Sequence, residues 1–584
     1  MTHPLLTAIC AASMMGTLAT TASAIDQNSD FADYRGIWIS RFEYGSSASV
    51  DKAIYNSKYM GFSDVTFQVR GQGDAYYNSN FEPQVNSFDA LDRAINQSHG
   101  MNMKLSAWIN TMPLWNGSTP PSDPNHPWNA HPEWRLKKAD GSTQPPQSGY
   151  VTGNPALPAF QDHINNIVND IATNYDVDGI NLDYIRMISG AVSEGYMRDA
   201  ATVAIYTAEK GAAPDFSSSW GRYQYERWIA SKITGIVERS KNTLHAAKPD
   251  AVLSADTWAN PISGSAYYQQ DGDDWAADGT ADMTMVMNYT NSNSTFLSNL
   301  QKYPDRANRQ AAVVAGIGTY AHADSPTGSP QRTIDQINIA KNNGANGYQI
   351  FSYESLVNSN GTLNAYGQAI REYNRALLAD KAEAMTIESF DNGSTNFDSS
   401  LTFSGSTSGI SNGSTAIVAG GKYGTSAQQI SFDGNSNWTL RHVSGKGKIA
   451  APEGNTEFFA GGFIGFWLKT SDANMQTAIV LDDPLTGERG NWLNVIADGE
   501  WHLYEWNLED DSQWNSFAGG NGAIDMLQLT MDSIMFKGSG NANFMLDLVA
   551  YNPDGSIATI PEPASAALLL TGLIALTRRK RQAS

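Results

Sequence analysis

Short apolar runs recur along the first two thirds of the chain, and segments with helical periodicity separate them. The runs lie at 35–43, 62–73, 103–112, 177–187, 251–260, 281–290, 311–320 and 344–355. Most of them are continuously apolar in their centres, which is typical of parallel strands buried on both faces. Eight such strands alternating with helices predict a (β/α)₈ TIM barrel over residues 34–378.

The helical segments support this prediction. One of them carries an apolar stripe at the spacing of a single helix face: Phe160, Ile164, Ile167, Val168 and Ile171. Two more long helical stretches are predicted at 217–250 and 330–344. A doubly wound open sheet is the structural alternative, but no glycine-rich phosphate loop follows the first strand.

The pattern changes after residue 385. A stretch rich in Gly, Ser and Asn covers 388–415, and its G-x-S-x-G match at 409–413 is interpreted as chance within a low-complexity linker. Beyond it, short alternating runs such as 462–470, 502–510 and 543–552 are separated by turn residues. This pattern predicts an all-β sandwich over residues 385–552, either carbohydrate-binding or purely structural.

The two ends carry targeting patterns. Residues 1–24 have an apolar centre and end in a small-x-small motif, which predicts a secretory signal peptide. The only cysteine, Cys10, lies inside it, so no disulfide is expected in the mature chain. At the other end, Pro561-Glu562-Pro563 precedes an apolar run and a basic cluster, and an ordinary tail anchor is one interpretation of 560–584.

Composition narrows the classes of function. The net charge of -21 argues against a nucleic-acid partner, because phosphate binding needs clustered Lys and Arg. The nine histidines show no paired ligand spacing, so no catalytic zinc and no cofactor are predicted. A structural calcium in the sandwich, held by Asp433 or Asp482 and Asp483, is left open.

The reacting groups of a (β/α)₈ barrel lie where the strands end at the carboxyl side. Acids, amides, arginines and aromatic residues occupy these ends, as a sugar-binding site requires. The candidates are Arg41, Glu43, Gln68, Arg70, Asp74, Trp108, Asn110, Asp183, Tyr184, Arg186, Asp256, Trp258, Asn288, Tyr289, Tyr320, Tyr353 and Glu354.

Hydrolysis of a glycosidic bond normally needs two carboxyl groups. The first choice is Asp183 as nucleophile or base with Asp256 as proton donor, because they end neighbouring strands; Glu354 and Glu43 are the substitutes for the donor. Each aspartate has a structural alternative, since either one could order its own loop. Asp176 and Asp178 precede their strand and are expected at the opposite end of the barrel. Arg70 and Asp74 are either substrate contacts or a structural ion pair.

Several motifs resemble the glycosyl-hydrolase-like family 10 barrels: "RGIWISRFE", "FQVRGQGDAYYNSNFEP", "LSAWINTM", "NYDVDGINLDYIRM" and "GYQIFSYESL". That family contains secreted bacterial glycosidases, some of which act on peptidoglycan glycan strands. The resemblance implies that Asp183 is catalytic and adds Tyr77, within the second motif, as a substrate contact. The chain departs from the family where Tyr184 replaces a second acid and Gly71 replaces a proline.

The C-terminal pattern resembles the PEP-CTERM sorting signal of Gram-negative bacteria, which an exosortase processes. Together, the two resemblances imply a secreted, surface-retained glycoside hydrolase that acts on a polysaccharide or on peptidoglycan glycan. Its partners would be that glycan and an exosortase-type enzyme, and it would meet the membrane only through its tail. The alternative is a non-catalytic glycan-binding or matrix protein on the same barrel.

Overall fold

The computed structural model describes residues 25–146, 149–445, 456–483 and 486–560. The predicted signal peptide and, apart from residue 560, the predicted sorting tail lie outside these residues. In the part of the chain that is described, no helix is both long enough and apolar enough to cross a membrane.

Eight parallel strands close into a barrel, which confirms the predicted fold. Each strand pairs with its neighbours along the chain, and the eighth pairs with the first. The strands are β1 (Arg35–Ile39), β2 (Asp64–Arg70), β3 (Lys104–Asn110), β4 (Gly179–Asp183), β5 (Val252–Trp258), β6 (Met283–Met287), β7 (Ala312–Gly318) and β8 (Gly347–Phe351). All eight lie within the apolar runs of the sequence.

Helices cover the outside of the barrel and extend its loops. They are α1 (Ser47–Tyr59), α2 (Ala90–His99), α3 (Pro127–Ala130), α4 (Pro158–Asn174), α5 (Ala200–Lys210), α6 (Ser219–Ala247), α7 (Pro261–Tyr268), α8 (Gly272–Asp278), α9 (Asn293–Leu300), α10 (Thr319–Ala323), α11 (Pro330–Asn342) and α12 (Ala365–Lys381). The apolar stripe of α4 is fully buried, as its spacing predicts. A small hairpin, Pro113–Asn116 with Tyr150–Thr152, projects from the long loop after β3.

An antiparallel β-sandwich follows the barrel. Its strands are β9 (Met385–Glu388), β10 (Ser408–Ala419), β11 (Ser426–Val443), β12 (Glu457–Phe459), β13 (Phe463–Thr470), β14 (Gln476–Asp482), β15 (Gly487–Gly490), β16 (Leu493–Asn494), β17 (Trp501–Asn507), β18 (Trp514–Phe517), β19 (Gln528–Gly538) and β20 (Ala542–Asn552). Aromatic residues such as Trp438, Phe466 and Phe536 fill its core.

One sequence interpretation is wrong here. Residues 409–413 belong to β10 rather than to a linker, and β10 pairs with β11 along most of its length. No side chain of β10 is fully buried, so its sequence needs no apolar alternation and lacks the usual strand pattern.

The sandwich is docked near the amino-terminal end of the barrel strands. Lys58, at the end of α1, lies 2.6 Å from Glu457 of β12. Arg371 of α12 stacks on Tyr59 and donates a hydrogen bond to the carbonyl of Asp525. These contacts leave the carboxyl-terminal mouth of the barrel open.

A buried ion pair holds the loop after β2 against the barrel. Arg70 donates two hydrogen bonds to Glu82, at 2.8 and 2.7 Å, and others to the carbonyls of Asn110 and Thr111. His163 of α4 lies 2.9 Å from the same carboxylate. Burial opposes ionisation of Glu82, but Arg70 and His163 outweigh it and lower its pKa to about 2.

Replacing Glu82 with Gln should therefore destabilise the barrel strongly. The change leaves the buried Arg70 charge without a counter-charge, which costs about 3 kcal/mol or more of unfolding free energy. Because folding lowers the pKa of Glu82 from 4.5 to about 2, its stabilisation is complete above pH 4.5 and disappears as the pH falls through about 2. Urea unfolding followed by tryptophan fluorescence measures both effects.

The matched control is Asp162→Asn, which breaks the exposed pair between Asp162 and Arg239. Water already screens that pair, so its loss should change the unfolding free energy far less. Equal losses in the two variants would contradict a stabilising role for the buried pair.

Candidate active site

A cavity of about 680 Å³ opens at the carboxyl-terminal mouth of the barrel. The lining contains most of the side chains that the sequence singled out. These are Arg41, Gln68, Trp108, Asn110, Asp183, Tyr184, Arg186, Asp256, Trp258, Asn288, Tyr289, Tyr320 and Glu354.

Asp183 and Asp256 occupy equivalent positions on adjacent strands. Leu182 of β4 pairs with Ala255 of β5, so the next residue of each strand is one of the two aspartates. In-register residues on neighbouring strands lie about 5 Å apart and point to the same face of the sheet. Both side chains are buried, with Asp183 6% and Asp256 2% exposed. The fold thus places two carboxyl groups side by side in the wall of the cavity.

The surroundings of the two acids shift their pKa values to different extents. Burial raises the pKa of Asp183, whereas the Arg186 charge and the N–H of Tyr184 oppose the rise. Burial and then the neighbouring charge of Asp183 raise the pKa of Asp256 well above its usual range. Two like charges this close in a dry site cannot both ionise easily. Asp256 therefore keeps the proton when Asp183 has lost its own.

Arg186 and Tyr184 hold Asp183 in place. Nη1 of Arg186 lies 3.5 Å from Oδ1 of Asp183, and its guanidinium stacks on the rings of Tyr184 and Trp258. Tyr184 has a left-handed backbone with φ of 48°, an uncommon conformation for a residue with a side chain. Its N–H donates to the Asp183 carboxylate at 2.5 Å. These contacts favour the ionised form of Asp183.

Asp256 has a neutral partner. The side-chain amide of Asn181, two residues before Asp183 on β4, donates to Asp256 at 2.9 Å and to Ser254 at 3.0 Å. Oδ1 of Asn181 is buried and has no hydrogen-bond partner in the described part of the chain. Because the contact is neutral, it orients Asp256 without forcing it to ionise.

Polar side chains next to Asp183, where Asn110 of β3 pairs in register with it, form one connected network. Gln68 and Trp108 both donate to the side-chain oxygen of Asn110 at 3.1 Å. Arg41 donates to the Tyr150 hydroxyl at 3.1 Å, and this hydroxyl also accepts from Asn110. Such a preorganised wall of amides and cations suits the hydroxyl groups of a sugar.

Aromatic rings line the rim and floor. Phe42 is 78% exposed and Tyr320 41% exposed, so both present open ring faces at the mouth. Deeper in the cavity, Tyr289 and Phe351 stack at a centroid distance of 5.2 Å. The cavity thus combines ring faces with hydrogen-bonding groups.

Two sequence candidates near the mouth support the backbone instead of lining the cavity. Glu43 accepts hydrogen bonds from the N–H groups of Ser40 and Glu354 and from the Ser352 hydroxyl. The Tyr353 hydroxyl accepts from Asn56 of α1. Glu43 therefore joins the loops after β1 and β8, and it is a poor substitute for the proton donor. Glu354 remains on the exposed rim.

The loop after β2 contains three more candidates that lie outside the lining. Arg70 pairs with Glu82 and not with Asp74, so the suggested ion pair between Arg70 and Asp74 is wrong. Asp74 instead accepts the backbone N–H groups of Gly71 and Gln72. Tyr77 is buried against Tyr175. These residues shape the loop, because all their polar groups turn inward.

The remaining acids lie away from the mouth. Asp176 and Asp178 flank a second cavity near the amino-terminal ends of the strands, where Asp178 accepts from the N–H of Leu105. In the sandwich, Asp433 accepts from Asn412, and Asp483 accepts two backbone N–H groups. Within the described ranges, no group of three or more His, Cys, Asp or Glu residues is arranged to hold a metal ion.

Sequence reasoning missed several residues of the site, among them Phe351 at the end of β8. Phe42 was missed because it lies between the two charged candidates Arg41 and Glu43 at the end of the first strand. Tyr150 comes from the long loop after β3, about forty residues beyond its partner Asn110, and no periodicity marks it. Ser352 lies one residue beyond β8. Asn181 could have been found, because residue i−2 of a strand shares the face of residue i.

Known proteins resemble parts of the chain. Glycosyl hydrolase DigH of Escherichia coli K12 is 25% identical over 244 residues, which cover 38% of this chain and 50% of DigH. The DigH proteins of E. coli CFT073 and Shigella flexneri give the same figures. The chain spans about half the length of these curated relatives.

Solved structures also resemble part of the chain. The PgaB (BpsB) glycoside hydrolase domain from Bordetella bronchiseptica has a TM-score of 0.45 and 13% identity, over 58% of this chain and 98% of that one. The catalytic domain of the β-amylase from Paenibacillus polymyxa has a TM-score of 0.41 and 14% identity, over 59% and 98%.

A family profile gives the firmest assignment. The profile described as Glycosyl hydrolase-like 10 matches residues 33–325, which is half of the chain. The matched range contains β1 to β7 and both cavity aspartates. The chain belongs to the glycosyl hydrolase-like 10 family.

Proposed function

We propose that the protein is a glycoside hydrolase that cleaves a bacterial cell-wall or extracellular polysaccharide with two carboxyl groups. The observation that carries the proposal is the pair Asp183 and Asp256, on equivalent positions of adjacent strands in an open cavity, with burial and the Asp183 charge raising the pKa of Asp256 well above its usual range. A glycosidase needs one ionised and one protonated carboxyl group at the bond that it cleaves.

The surroundings assign the roles. Asp183, next to Arg186, is the ionised group that attacks the anomeric carbon or activates water. Asp256 is the acid that protonates the leaving oxygen, because burial and the charge of Asp183 raise its pKa and keep the proton on it when Asp183 is ionised. The network of Gln68, Asn110 and Arg41 binds sugar hydroxyls, and the rim rings stack on the sugars.

The strand register favours a retaining reaction. The backbones at equivalent positions on adjacent strands lie about 5 Å apart. Two side chains of equal length that leave the sheet in the same direction are expected to keep a similar spacing, close to the carboxyl separation at which one carboxylate attacks directly. An inverting enzyme needs a wider gap of about 6.5–9.5 Å to hold a water molecule. Products of the first turnover should therefore keep the anomeric configuration of the substrate, as NMR of fresh digests would show.

Substitution of either aspartate should abolish hydrolysis. We expect Asp183→Asn and Asp256→Asn each to lower kcat by a factor of about 10³ or more, since each removes a reacting group. Glu354→Gln should cost less than about tenfold, because Glu354 lies on the rim. A panel of peptidoglycan and bacterial exopolysaccharides, assayed for new reducing ends, measures the rates.

The control is Asp176→Asn, which removes an acid that is 80% exposed at the opposite end of the barrel and should leave kcat unchanged. Melting curves verify folding, and Asn at 256 can still accept the Asn181 hydrogen bond through its own oxygen. Glycan binding by the wild type without any release of reducing ends would instead favour a non-catalytic glycan-binding protein.

The pH dependence follows from the two raised pKa values. Activity should rise as the pH passes the pKa of Asp183, which lies above 3.8, and fall as it passes the higher pKa of Asp256. In Asp183→Asn the charge next to Asp256 is absent, so the pKa of Asp256 should decrease. Infrared difference spectra between this variant and Asp183→Asn/Asp256→Asn would follow that titration. An unchanged Asp256 pKa would contradict the coupling.

We also propose secretion and retention at the cell surface of a Gram-negative bacterium, on the sequence of the two ends alone. Expressed in a host with an exosortase, the mature protein should begin at Ile25 and lack the residues after the Pro561–Pro563 motif. Mass spectrometry of the intact surface protein measures both ends. Replacing Pro561 and Pro563 with Ala should block only the C-terminal processing, and an unprocessed wild type would contradict the proposal.

A further inference from the structure

One face of the β-sandwich carries a row of polar side chains. Phe536 of β19 points into the sandwich core, so Lys537 beside it points to the opposite face. Lys537 pairs in register with Thr439 of β11 and with Gln476 of β14, and Gln476 pairs with Asn494 of β16. Four neighbouring strands therefore contribute to this row.

Two cations meet at one aromatic ring on this face. Nζ of Lys537 lies 4.3 Å from the ring centroid of Trp492, and Cζ of Arg489 lies 5.1 Å from the same centroid. Arg489 belongs to β15 and pairs with Val480 of β14. Val480 and Gln476 lie four residues apart on β14 and share one face, so Arg489 lies on the face of Gln476 and Lys537. We call Arg489, Trp492 and Lys537 the cation–tryptophan cluster.

In the part of the chain that the structure describes, neither Arg489 nor Lys537 forms an ion pair with a carboxylate. Arg441 on the adjacent strand, by contrast, lies 2.5 Å from Asp532. The nearby Glu488 is occupied by the backbone N–H groups of Asn521 and Gly522. Partial burial and then the charge of Arg489 lower the pKa of Lys537, which shows that its charged neighbour is repulsive.

The Trp492 ring attracts each cation, but it does not cancel the repulsion between the two. Two like charges, partly desolvated and without a counter-charge, repel each other. The protein as a whole has a net charge of -21, so carboxylates are abundant elsewhere on its surface. An external anion between the two cations would remove the repulsion.

We propose that the cation–tryptophan cluster is a binding site for an anionic polysaccharide. The Arg489 guanidinium offers paired N–H donors to a carboxylate or sulfate, and Lys537 adds a second positive charge. The amides of Gln476 and Asn494, joined at 2.7 Å, border the site and can bond sugar hydroxyls. The site is separate from the barrel cavity and does not depend on hydrolysis.

A nucleic acid fits this face less well. Duplex and single-stranded ligands need a track of many cations to match their regular phosphates. The cluster provides two, in a chain whose overall charge repels a polyanion of high charge density. A polysaccharide with an anionic group on some of its sugars matches two cations bordered by amides.

Affinity electrophoresis of the full chain tests the proposal. The protein carries Asp183→Asn throughout, so that catalysis cannot alter the polymer. Gels containing hyaluronan, with a carboxylate on alternate sugars, or κ-carrageenan, with a sulfate on alternate sugars, should retard it, and gels with neutral dextran should not. The added pair Arg489→Gln/Lys537→Gln should weaken binding at least tenfold, and raised salt should do the same. The two anionic polymers distinguish carboxylate from sulfate recognition.

The matched control is Lys422→Gln/Lys469→Gln, which removes the same charge from the same domain. Lys422 also packs on an aromatic ring, Trp467, at 4.8 Å, but among the described residues no second cation stacks on that ring. This control should bind like the parent. Equal losses in both pairs, equal retardation by neutral dextran or by an oligonucleotide, or no retardation at all would each overturn the proposal. The single variant Lys537→Gln, checked by circular dichroism, covers the case in which the double variant misfolds.

Discussion

Closure of the parallel sheet is the constraint on which the active site depends. Once β8 pairs with β1, the interior side chains of the barrel can meet water only at its two ends. Polar groups inside must then find partners or lie at an end, because an unpartnered buried polar group is costly. Neighbouring strands also share one direction and one register, which brings Asp183 beside Asp256. The proximity of the acids is thus a property of the sheet and requires no special loop.

Much of this fold is predictable from the sequence. Strands buried on both faces need continuous apolar runs, and the eight runs contain all eight strands. The long helices α4, α6 and α11 were found because a buried stripe repeats every turn. Prediction failed for β10, since an exposed strand can form from backbone pairing alone and leaves no apolar pattern. The targeting segments at the two ends stay predictions, because nearly all of their residues lie outside the part of the chain that the structure describes.

The site is predictable only where topology dictates it. The rule that barrel sites lie at strand ends found the two aspartates and the amide wall. It could not distinguish Arg41, which lines the cavity, from Arg70, which forms a buried ion pair with Glu82. Both are arginines at strand ends, and the difference lies in a partner contributed by a distant loop. The sequence already suggested Asp256 as the proton donor, but the physical cause was not visible there, because it arises from burial and from the position of Arg186.

The buried ion pair and the two proposed sites differ in their electrostatics. For Glu82 the partner is supplied internally and the pKa moves toward the charged form. At Asp256 and at Lys537 the pKa moves toward the neutral form, and after burial a charge of the same sign contributes to the shift in each case. Selection for stability alone would remove such repulsions with one substitution. The repulsion at Asp256 is understandable if this residue delivers its proton to a sugar. The repulsion at Lys537 is understandable if an anionic group of a sugar binds there.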